Sequence, residues 1–298
     1  MRLMTSLKGA ALAGFTALAS GSALAQSLEI VGQPIADGIA LQPAVTELAY
    51  DQHWLDNLLL WIIGIVTAFV LLLLIVVILR FNTRSNPVPR KFTHNTPLEI
   101  AWTIIPVIIL IFIGVFSIPA LNKQQTFPAG DVVIKVTGNQ WYWSYEYPEE
   151  GIEEYASYMI GGLNWGGNNT LTAETEAALV EAGYSKDQWL LATDTAIVVP
   201  TGAKVLLQIT ATDVIHSWTI PAFAVKQDAV PGRLAQAWFA AEREGIYFGQ
   251  CSELCGKDHA YMPITVKVVS PEEYRAWVER AKEGDVNLAH TPVELASN

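Results

Sequence analysis

Two long apolar runs dominate the hydrophobic pattern of the chain. Residues 58–79 and residues 100–121 each span 22 positions without a charged side chain. At about 1.5 Å rise per residue, a helix of that length reaches about 33 Å and can cross the hydrocarbon core of a bilayer. The pattern therefore predicts a membrane α-helical hairpin of two transmembrane helices over residues 57–122.

The charges around this hairpin predict its orientation. Residues 26–56 contain five acids and neither Lys nor Arg, whereas the connecting loop, residues 80–97, contains four basic residues and no acid. Loops rich in Lys and Arg stay on the cytoplasmic side of a membrane. We therefore expect a two-pass protein of a bacterial inner membrane, with the outer N-terminal segment 26–56 and everything from Lys123 onward on the periplasmic side.

The first 25 residues are typical of a cleaved signal peptide. Arg2 and Lys8 precede a short apolar run that closes on Ala23-Leu24-Ala25, the small-x-small pattern of a signal peptidase site. Glycine and serine interrupt the run, which argues against the alternative of a third membrane helix. Cleavage after Ala25 is expected, so that both termini of the mature chain lie outside the cytoplasm.

Beyond the hairpin, short β-rich runs recur between turn signals. This spacing predicts an all-β antiparallel sandwich or barrel over residues 123–270. The pattern lapses over residues 149–190, which we interpret as a surface insertion with one helix at 173–182. The predicted strands are residues 132–137, 140–147, 196–199, 205–211, 217–220, 235–240, 246–250 and 264–269.

The last segment, residues 271–298, begins with a helix signal. Ser270 is followed by Pro271 and, at the third position, by Glu273, which together form a capping box with proline at the first helical position. A C-terminal helix is predicted to start there, and the residues after Gly284 are expected to form a tail.

Composition and charge narrow the class of partner. The chain has 298 residues, of which 51% are apolar. Its 18 basic and 29 acidic residues give a net charge of −11. Such a chain repels polyanions, so nucleic acid is excluded as an expected partner. A basic protein is the partner that this charge favours.

The residue types that carry chemistry are concentrated in residues 251–262. Cys251, Cys255, His259 and Met262 offer thiolate, imidazole and thioether groups within twelve positions, and His216 offers a second imidazole. This set is softer than zinc requires, so copper is the favoured metal. A disulfide between the two cysteines and a tetrahedral zinc site remain the alternatives.

Two thiolates exceed the single cysteine of a mononuclear blue-copper site, and two coppers bridged by both sulfurs would use every ligand. At this point the chain resembles subunit II of cytochrome c oxidase. The resemblance covers the mature chain outside the insertion and the last dozen or so residues. It is carried by residues 251–262, by Ala211-Thr212-Asp213-Val214-Ile215-His216-Ser217-Trp218, by the aromatic run at 140–147 and by residues 93–99.

The resemblance implies a cupredoxin-like Greek-key barrel on a two-helix anchor. In that family the barrel holds binuclear copper A, takes electrons from cytochrome c and passes them to haem in catalytic subunit I, where oxygen is reduced to water; subunit III is a further expected neighbour. By position, the implied copper ligands are His216, Cys251, Glu253 through its carbonyl, Cys255, His259 and Met262. The Glu253 side chain is the implied ligand of a Mg²⁺ ion shared with subunit I.

The resemblance also implies roles for residues outside the ligand set. Trp141 would be the residue through which electrons enter, although a tryptophan in an aromatic strand is as often core. Its strand would place Trp141, Trp143, Tyr145 and Tyr147 on one face. Glu99 would mark the inner mouth of a proton path, although Thr96, Pro97 and Glu99 also fit a helix N-cap, N1 and N3.

Three acids are expected to dock cytochrome c: Asp194 and Asp213 match positions that do so in the family, and Glu146 belongs to the aromatic run at 140–147. The alternative function from another class is a membrane-tethered cupredoxin-type copper-delivery or structural protein. A delivery protein must release its ion, and six ligands closing on two metals argue against release.

Overall fold

The computed structural model describes residues 27–88, 90–287 and 291–292. The expected signal peptide and its cleavage site, and most of the tail after Asn287, lie outside the described residues. The elements are β1 (Ser27–Leu28), β2 (Ile30–Gly32), α1 (Glu47–Arg80), α2 (Thr96–Gln125), β3 (Val132–Asn139), β4 (Tyr142–Tyr147), β5 (Ile152–Ser157), α3 (Ala173–Glu181), β6 (Ile197–Pro200), β7 (Val205–Ala211), β8 (His216–Ile220), β9 (Val225–Ala229), β10 (Ala235–Phe239), β11 (Gly245–Gln250), β12 (Pro263–Val269), α4 (Pro271–Ala281) and β13 (Thr291–Pro292).

The predicted hairpin is present as α1 and α2. Both helices are long and apolar enough to cross a membrane, with mean hydropathies of 3.4 and 2.8 over their most apolar windows. α1 starts at Glu47, inside the segment that we predicted as a separate outer stretch, because Thr46 caps it by accepting a hydrogen bond from the Ala49 amide. The extra turns bring Glu47 and Asp51 to 2.7 and 2.6 Å from Lys123 of α2. These ion pairs join the N-terminal end of α1 to the C-terminal end of α2.

The start of α2 differs by one residue from the predicted capping box. Asn95, rather than Thr96, is the N-cap, and its Oδ1 accepts a hydrogen bond from the Leu98 amide at 3.3 Å. Glu99 Oε1 accepts from the Asn95 amide at 3.2 Å, so Glu99 bonds the N-cap amide from the fourth helical position, one beyond the third position that a capping box uses.

Two sheets form most of the domain that follows α2, here called the outer domain after the side of the membrane on which we expect it. One has the strand order β10-β7-β3-β4-β5 and the other the order β2-β11-β12-β6, with the β8-β9 hairpin as a separate pair. The buried core includes Val136, Trp143, Ile209 and Trp218. The prediction of antiparallel pairing is wrong for β3 with β7, β11 with β2 and β12 with β6, which are parallel. Partners so far apart in sequence are joined by crossover connections rather than tight turns, which permits parallel pairing.

All eight predicted strands are present, with ends shifted by at most two residues. The interpretation of residues 149–190 as a surface insertion is wrong in part, because β5 is the edge strand of the five-stranded sheet and pairs with β4. Ile152 and Ser157 are buried on it, as is Leu179 of α3. The acids Glu153 and Glu154 between these buried positions hid the strand in the sequence.

The C-terminal helix α4 starts where predicted. Ser270 Oγ accepts from the Glu273 amide at 3.2 Å and Pro271 is in the first turn. Tyr274, Trp277 and Val278 are buried, which fixes the helix on the outer domain.

Candidate metal centre

The centre lies where three strands of the outer domain end or begin. β11 leads into residues 251–262, here called the metal loop, and the loop returns into β12, which is antiparallel to β11. His216 is the first residue of β8. Gly249 allows β8 to lie directly against β11, because a Cβ there would be 1.7 Å from the Thr219 carbonyl oxygen. The Ser252 amide then donates to the Ser217 carbonyl at 2.9 Å, which joins the metal loop to β8.

The six positions that the sequence analysis names as copper ligands come together here. The Cys251 and Cys255 Sγ atoms are 3.8 Å apart, and both cysteines are free and buried. The remaining contacts are Cys251 Sγ to His216 Nδ1 at 3.8 Å, Cys251 Sγ to the Glu253 carbonyl at 3.3 Å, Cys255 Sγ to His259 Nδ1 at 3.5 Å and Cys255 Sγ to Met262 Sδ at 3.5 Å. The ligand atoms of His216, Cys251 and Cys255 all lie within 4.8 Å of one another.

This donor set fits copper. Two thiols, two imidazoles and a thioether around one point are soft ligands, and the thioether and the carbonyl exceed the four ligands of a structural zinc site. Glu253 takes part through its backbone, while its side chain is exposed. The centre can therefore hold a soft metal with little movement of the protein.

His216 is completely buried and its second ring nitrogen has a partner. Its Nε2 lies 2.9 Å from Asp213 Oδ1, which leaves Nδ1 facing Cys251. Burial opposes the imidazolium, but the contacts with Cys251 and Asp213 outweigh it and raise the pKa of His216. Gly138 of β3 makes room for the ring, since a Cβ there would be 2.9 Å from His216 Cδ2.

The two thiols differ in their surroundings. Burial raises the pKa of Cys251, but the His216 imidazole and backbone hydrogen bonds outweigh it, so this pKa lies below its ordinary value. Burial and the adjacent Cys251 sulfur raise the pKa of Cys255 to about 12. A metal that binds both sulfurs must displace both protons.

Trp141 is partly exposed and touches the metal loop. Its Nε1 donates to the Cys255 carbonyl oxygen at 3.1 Å, and the Gln140 side chain donates to the same oxygen at 2.9 Å. The strand β4 begins one residue later, so the expectation that Trp141 shares a strand face holds only for Trp143, Tyr145 and Tyr147, all buried. The Lys257 ammonium lies 5.4 Å from the Trp141 ring centroid.

The three acids predicted to dock cytochrome c all have partners within the chain. Glu146 Oε2 pairs with Lys135 at 2.8 Å across two neighbouring strands. Asp194 accepts from the Tyr158 and Thr195 amides at 2.8 Å each, and burial raises its pKa. Asp213 accepts from the His216 ring and, through Oδ2, from the Gln140 amide at 2.7 Å. Glu99 lies apart from the centre, at the loop end of the 30-residue helix α2.

Sequence reasoning missed the residues that hold the metal loop in place. Gln140, Gly256, Asp258 and Asn169 contact the loop or Trp141. Gln140 and Gly256 stand next to recognised motif residues, so proximity in sequence was an available signal. Asn169 lies in the segment interpreted as an insertion, and no local signal points to it.

The fold and the centre define a membrane-anchored cupredoxin-type protein with a soft-metal site. The cytochrome c oxidase subunit II periplasmic-domain family matches residues 132–269, and the transmembrane-domain family of the same subunit matches residues 34–120. This chain belongs to the cytochrome c oxidase subunit II family. It is an electron-accepting subunit of an oxidoreductase complex, and it is anchored in the membrane by two helices.

Two individual relatives agree with the family match. Cytochrome c oxidase subunit 2 of Cereibacter sphaeroides is 57% identical over 97% of this chain and 96% of its own length. The probable subunit 2 of Rickettsia bellii is 40% identical over 93% and 96%. The crystal structure of the periplasmic domain of subunit II of cytochrome oxidase of Bradyrhizobium japonicum is 43% identical, with a TM-score of 0.44, and covers 53% of this chain and 99% of that chain.

Proposed function

We propose that this chain takes electrons from cytochrome c at a binuclear copper A centre on the periplasmic side and passes them to haem in catalytic subunit I, where oxygen is reduced to water. The observation that carries the proposal is the convergence of six donor groups from the metal loop and β8, with Trp141 hydrogen-bonded to one of the cysteines. When bound, copper A supplies a one-electron redox couple.

The protein's own residues would hold the metals by fixed contacts. Cys251, Cys255, His216 and His259 would hold the metals, and Met262 would be a weak further ligand. Trp143 supports two of these residues, because its Nε1 donates to the Met262 carbonyl at 3.3 Å and its ring lies edge-on to His216. Ligands held by such second contacts move little when the charge of the site changes, which favours fast electron transfer.

Trp141 would be the residue at which electrons enter. Its ring is partly exposed and its indole reaches the backbone of a bridging cysteine in one hydrogen bond. The path from the surface to the centre is therefore a single side chain and one carbonyl group.

Metal analysis of the full-length chain tests the centre. After copper loading, we expect two coppers per chain and, in the oxidised form, one unpaired electron shared by both, seen by electron paramagnetic resonance. Cys255→Ser should lose this signature while the chain stays folded. One copper, bound zinc, or a disulfide in metal-supplemented protein would contradict the assignment.

The same preparation separates an electron carrier from a copper-delivery protein. A carrier should retain copper in the presence of an apo copper acceptor and should exchange electrons with reduced cytochrome c. Transfer of copper to the acceptor without rapid oxidation of cytochrome c would favour delivery.

Glu253 is proposed to bind Mg²⁺ through its side chain, together with residues of subunit I. Its carboxylate is exposed on the metal loop while its carbonyl points at Cys251, and a hard cation prefers such a carboxylate. Glu253→Gln should lower the magnesium or manganese content of the assembled oxidase and leave the copper content unchanged. Unchanged magnesium would make Glu253 a solvated loop acid.

Glu99 is proposed to collect protons at the cytoplasmic mouth of a path into subunit I. In the structure it accepts a hydrogen bond from the Asn95 amide, and this capping role is compatible with proton uptake. Glu99→Gln, which keeps an acceptor for that amide, should lower steady-state turnover and leave copper reduction by cytochrome c unchanged. Normal turnover per assembled complex, combined with poor assembly, would assign Glu99 to capping alone.

Docking of cytochrome c is proposed to rest on the acidic outer domain, which holds 23 acids and 12 bases from Lys123 onward. Exposed charges beyond about 8 Å are screened at physiological salt, so this field acts mainly on the association rate. The rate should fall as ionic strength rises, and Glu146→Gln should flatten that dependence. Asp194 and Asp213 contribute to the same field from inside hydrogen-bonded positions, so a smaller effect is expected from Asp194→Asn. A rate insensitive to salt would show that cytochrome c does not dock on this acidic surface.

Subunits I and III are the proposed membrane partners.

A further inference from the structure

Residues 161–169, here called the clasp, form a tight loop beside Trp141. The Asn169 amide donates to the Gly161 carbonyl at 3.0 Å, the Gly167 amide to the Gly162 carbonyl at 2.8 Å, and Asn169 Oδ1 accepts from the Leu163 amide at 3.0 Å. A Cβ on Gly167 would lie 2.3 Å from the Gly161 carbonyl oxygen, so the loop closes only with glycine there. The clasp is thus a closed, internally bonded unit rather than a loose connection.

Two asparagine side chains reach out of the clasp to the metal centre. Asn164 Nδ2 donates to the Trp141 carbonyl oxygen at 3.3 Å, and Asn169 Nδ2 donates to Asp258 Oδ1 at 3.3 Å. Asp258 is buried and directly precedes His259 in the metal loop. Trp141, Leu163, Asn164, Asn169 and Asp258 line one small depression in the surface.

These contacts link two pieces of chain that must stay in register. Trp141 lies between β3 and β4, whereas Cys255 and Asp258 belong to the loop between β11 and β12. The bonds from Gln140 and Trp141 to the Cys255 carbonyl join the two pieces on one side. The clasp joins them on the other side, because Asn164 bonds the Trp141 carbonyl and Asn169 bonds Asp258 of the metal loop.

We propose that the clasp sets the position of Trp141 against the metal loop, with Asn164 and Asn169 as positioning residues. The inference rests on the proposed function, in which electrons enter through Trp141. Electron transfer through a hydrogen bond weakens steeply when the bond opens. Loss of either asparagine bond should increase the fraction of time in which the Trp141 to Cys255 contact is open.

Three Asn→Asp substitutions in the same loop isolate this role. Asn164→Asp replaces the donor to the Trp141 carbonyl with an acceptor of equal size. Asn169→Asp does the same opposite the Asp258 carboxylate, and aspartate still tolerates the left-handed backbone that Asn169 adopts at φ 60°. The control is Asn168→Asp, since Asn168 Oδ1 only accepts from Thr170 within the segment and a carboxylate keeps those bonds. All three variants add the same charge.

The first measurement is the rate of electron transfer within the preformed complex of reduced cytochrome c and the assembled oxidase. A lost hydrogen bond of ordinary strength changes such an equilibrium by roughly 2- to 10-fold. We expect the rate to fall by up to that factor in Asn164→Asp and Asn169→Asp, with the larger fall in Asn169→Asp, and to be unchanged in Asn168→Asp. The affinity for cytochrome c should be equal in all three.

The second measurement needs no metal and no turnover. Backbone hydrogen exchange of the copper-free full-length chain should be faster around residues 140–142 and 251–262 in the two clasp variants and unchanged in the control. Equal rates and equal exchange in all three variants would overturn the proposal, as would an effect confined to cytochrome affinity. If Trp141→Phe leaves the transfer rate unchanged, the proposed function of Trp141 fails, and hydrogen exchange alone then decides whether the clasp holds the loop.

Discussion

The indole Nε1 of Trp141 and the carbonyl oxygen of Cys255 are joined by a 3.1 Å hydrogen bond between residues 114 positions apart in sequence. The bond connects a partly exposed aromatic ring to the backbone of a buried metal-site cysteine. It depends on the close approach of Gly256 to the ring and on the anchoring of the preceding residue, Gln140, by Asp213. Each of these contacts can be broken by one substitution with a distinct result.

Trp141→Phe keeps an aromatic ring and removes the indole N–H. We expect the Cys255 carbonyl to lose this hydrogen bond while it keeps the one from the Gln140 side chain. Electron transfer from bound cytochrome c should slow at least several-fold, whereas cytochrome affinity and the copper spectrum should change little. Transient absorption of the preformed complex measures the transfer rate. A large loss of affinity with normal transfer would assign Trp141 to docking.

Gly256→Ala tests the fit between the metal loop and the ring. Gly256 has φ 124°, a conformation that residues with a Cβ rarely adopt, and a Cβ there would be 3.0 Å from Trp141 Cζ2. Backbone strain of this kind costs about 1–3 kcal/mol. We expect the loop to shift, copper to be held more weakly and the free energy of unfolding to fall by that amount. Gly151→Ala, at φ 74° with open space around it, is the matched control for strain without a contact, and equal copper retention in both variants would contradict the fit argument.

The approach of the six candidate ligand positions could be anticipated because five of them are close together in the chain. Cys251 and Met262 lie on one loop, and only His216 comes from elsewhere. The two membrane helices follow from uninterrupted apolar runs. β5 was missed because its buried Ile152 is followed by two consecutive exposed acids, and β9 because only Val225 and Ala229 at its ends are buried.

Contacts between distant segments could not be predicted in this way. Asp213 was assigned to docking from its position in a motif, but its carboxylate is directed at His216 and at the Gln140 amide, which is 73 residues away. Asn169 reaches Asp258 across 89 residues. Such bonds depend on which strands become neighbours and on how the loops between them pack, and no local pattern of polar and apolar residues encodes them.

Asp213→Asn should weaken metal binding. The carboxylate accepts from the His216 ring and the Val214 amide through Oδ1 and from the Gln140 amide through Oδ2. A carboxamide has one oxygen, so either the histidine or Gln140 must face an NH₂ group. Loss of a second partner of a ligating histidine lowers metal affinity by about 10- to 100-fold. Competition with a copper chelator measures this, and Asp228→Asn, at an exposed position on β9, is the control for charge. Equal copper affinity in the two variants would contradict this role of Asp213 at the metal centre.

Lys267 of β12 provides a prediction about stability that is separate from the metal. Its side chain is buried on the outer face of the four-stranded sheet, near Tyr184 at 5.9 Å. Burial lowers the pKa of Lys267 from 10.5 to about 8, only partly offset by the charge of Glu273. Below pH 8 the ammonium is therefore buried at a cost, and the difference between the two pKa values corresponds to about 3 kcal/mol.

The sign of the pH effect follows from proton binding. Between pH 8 and 10.5 the unfolded chain binds a proton at Lys267 that the folded chain has lost, so this group makes the fold more stable as pH rises through that window. Lys267→Met, which has a similar length and no charge, should raise the free energy of unfolding by about 1–3 kcal/mol at pH 7, less the contribution of the contacts that the lysine makes, including the one with Tyr184. Most of that gain should be gone by pH 10, where the folded wild-type lysine is already neutral. Denaturant unfolding of the detergent-solubilised full chain at the two pH values, under reducing conditions, measures the difference. A variant that is less stable than wild type at pH 7 would contradict this prediction.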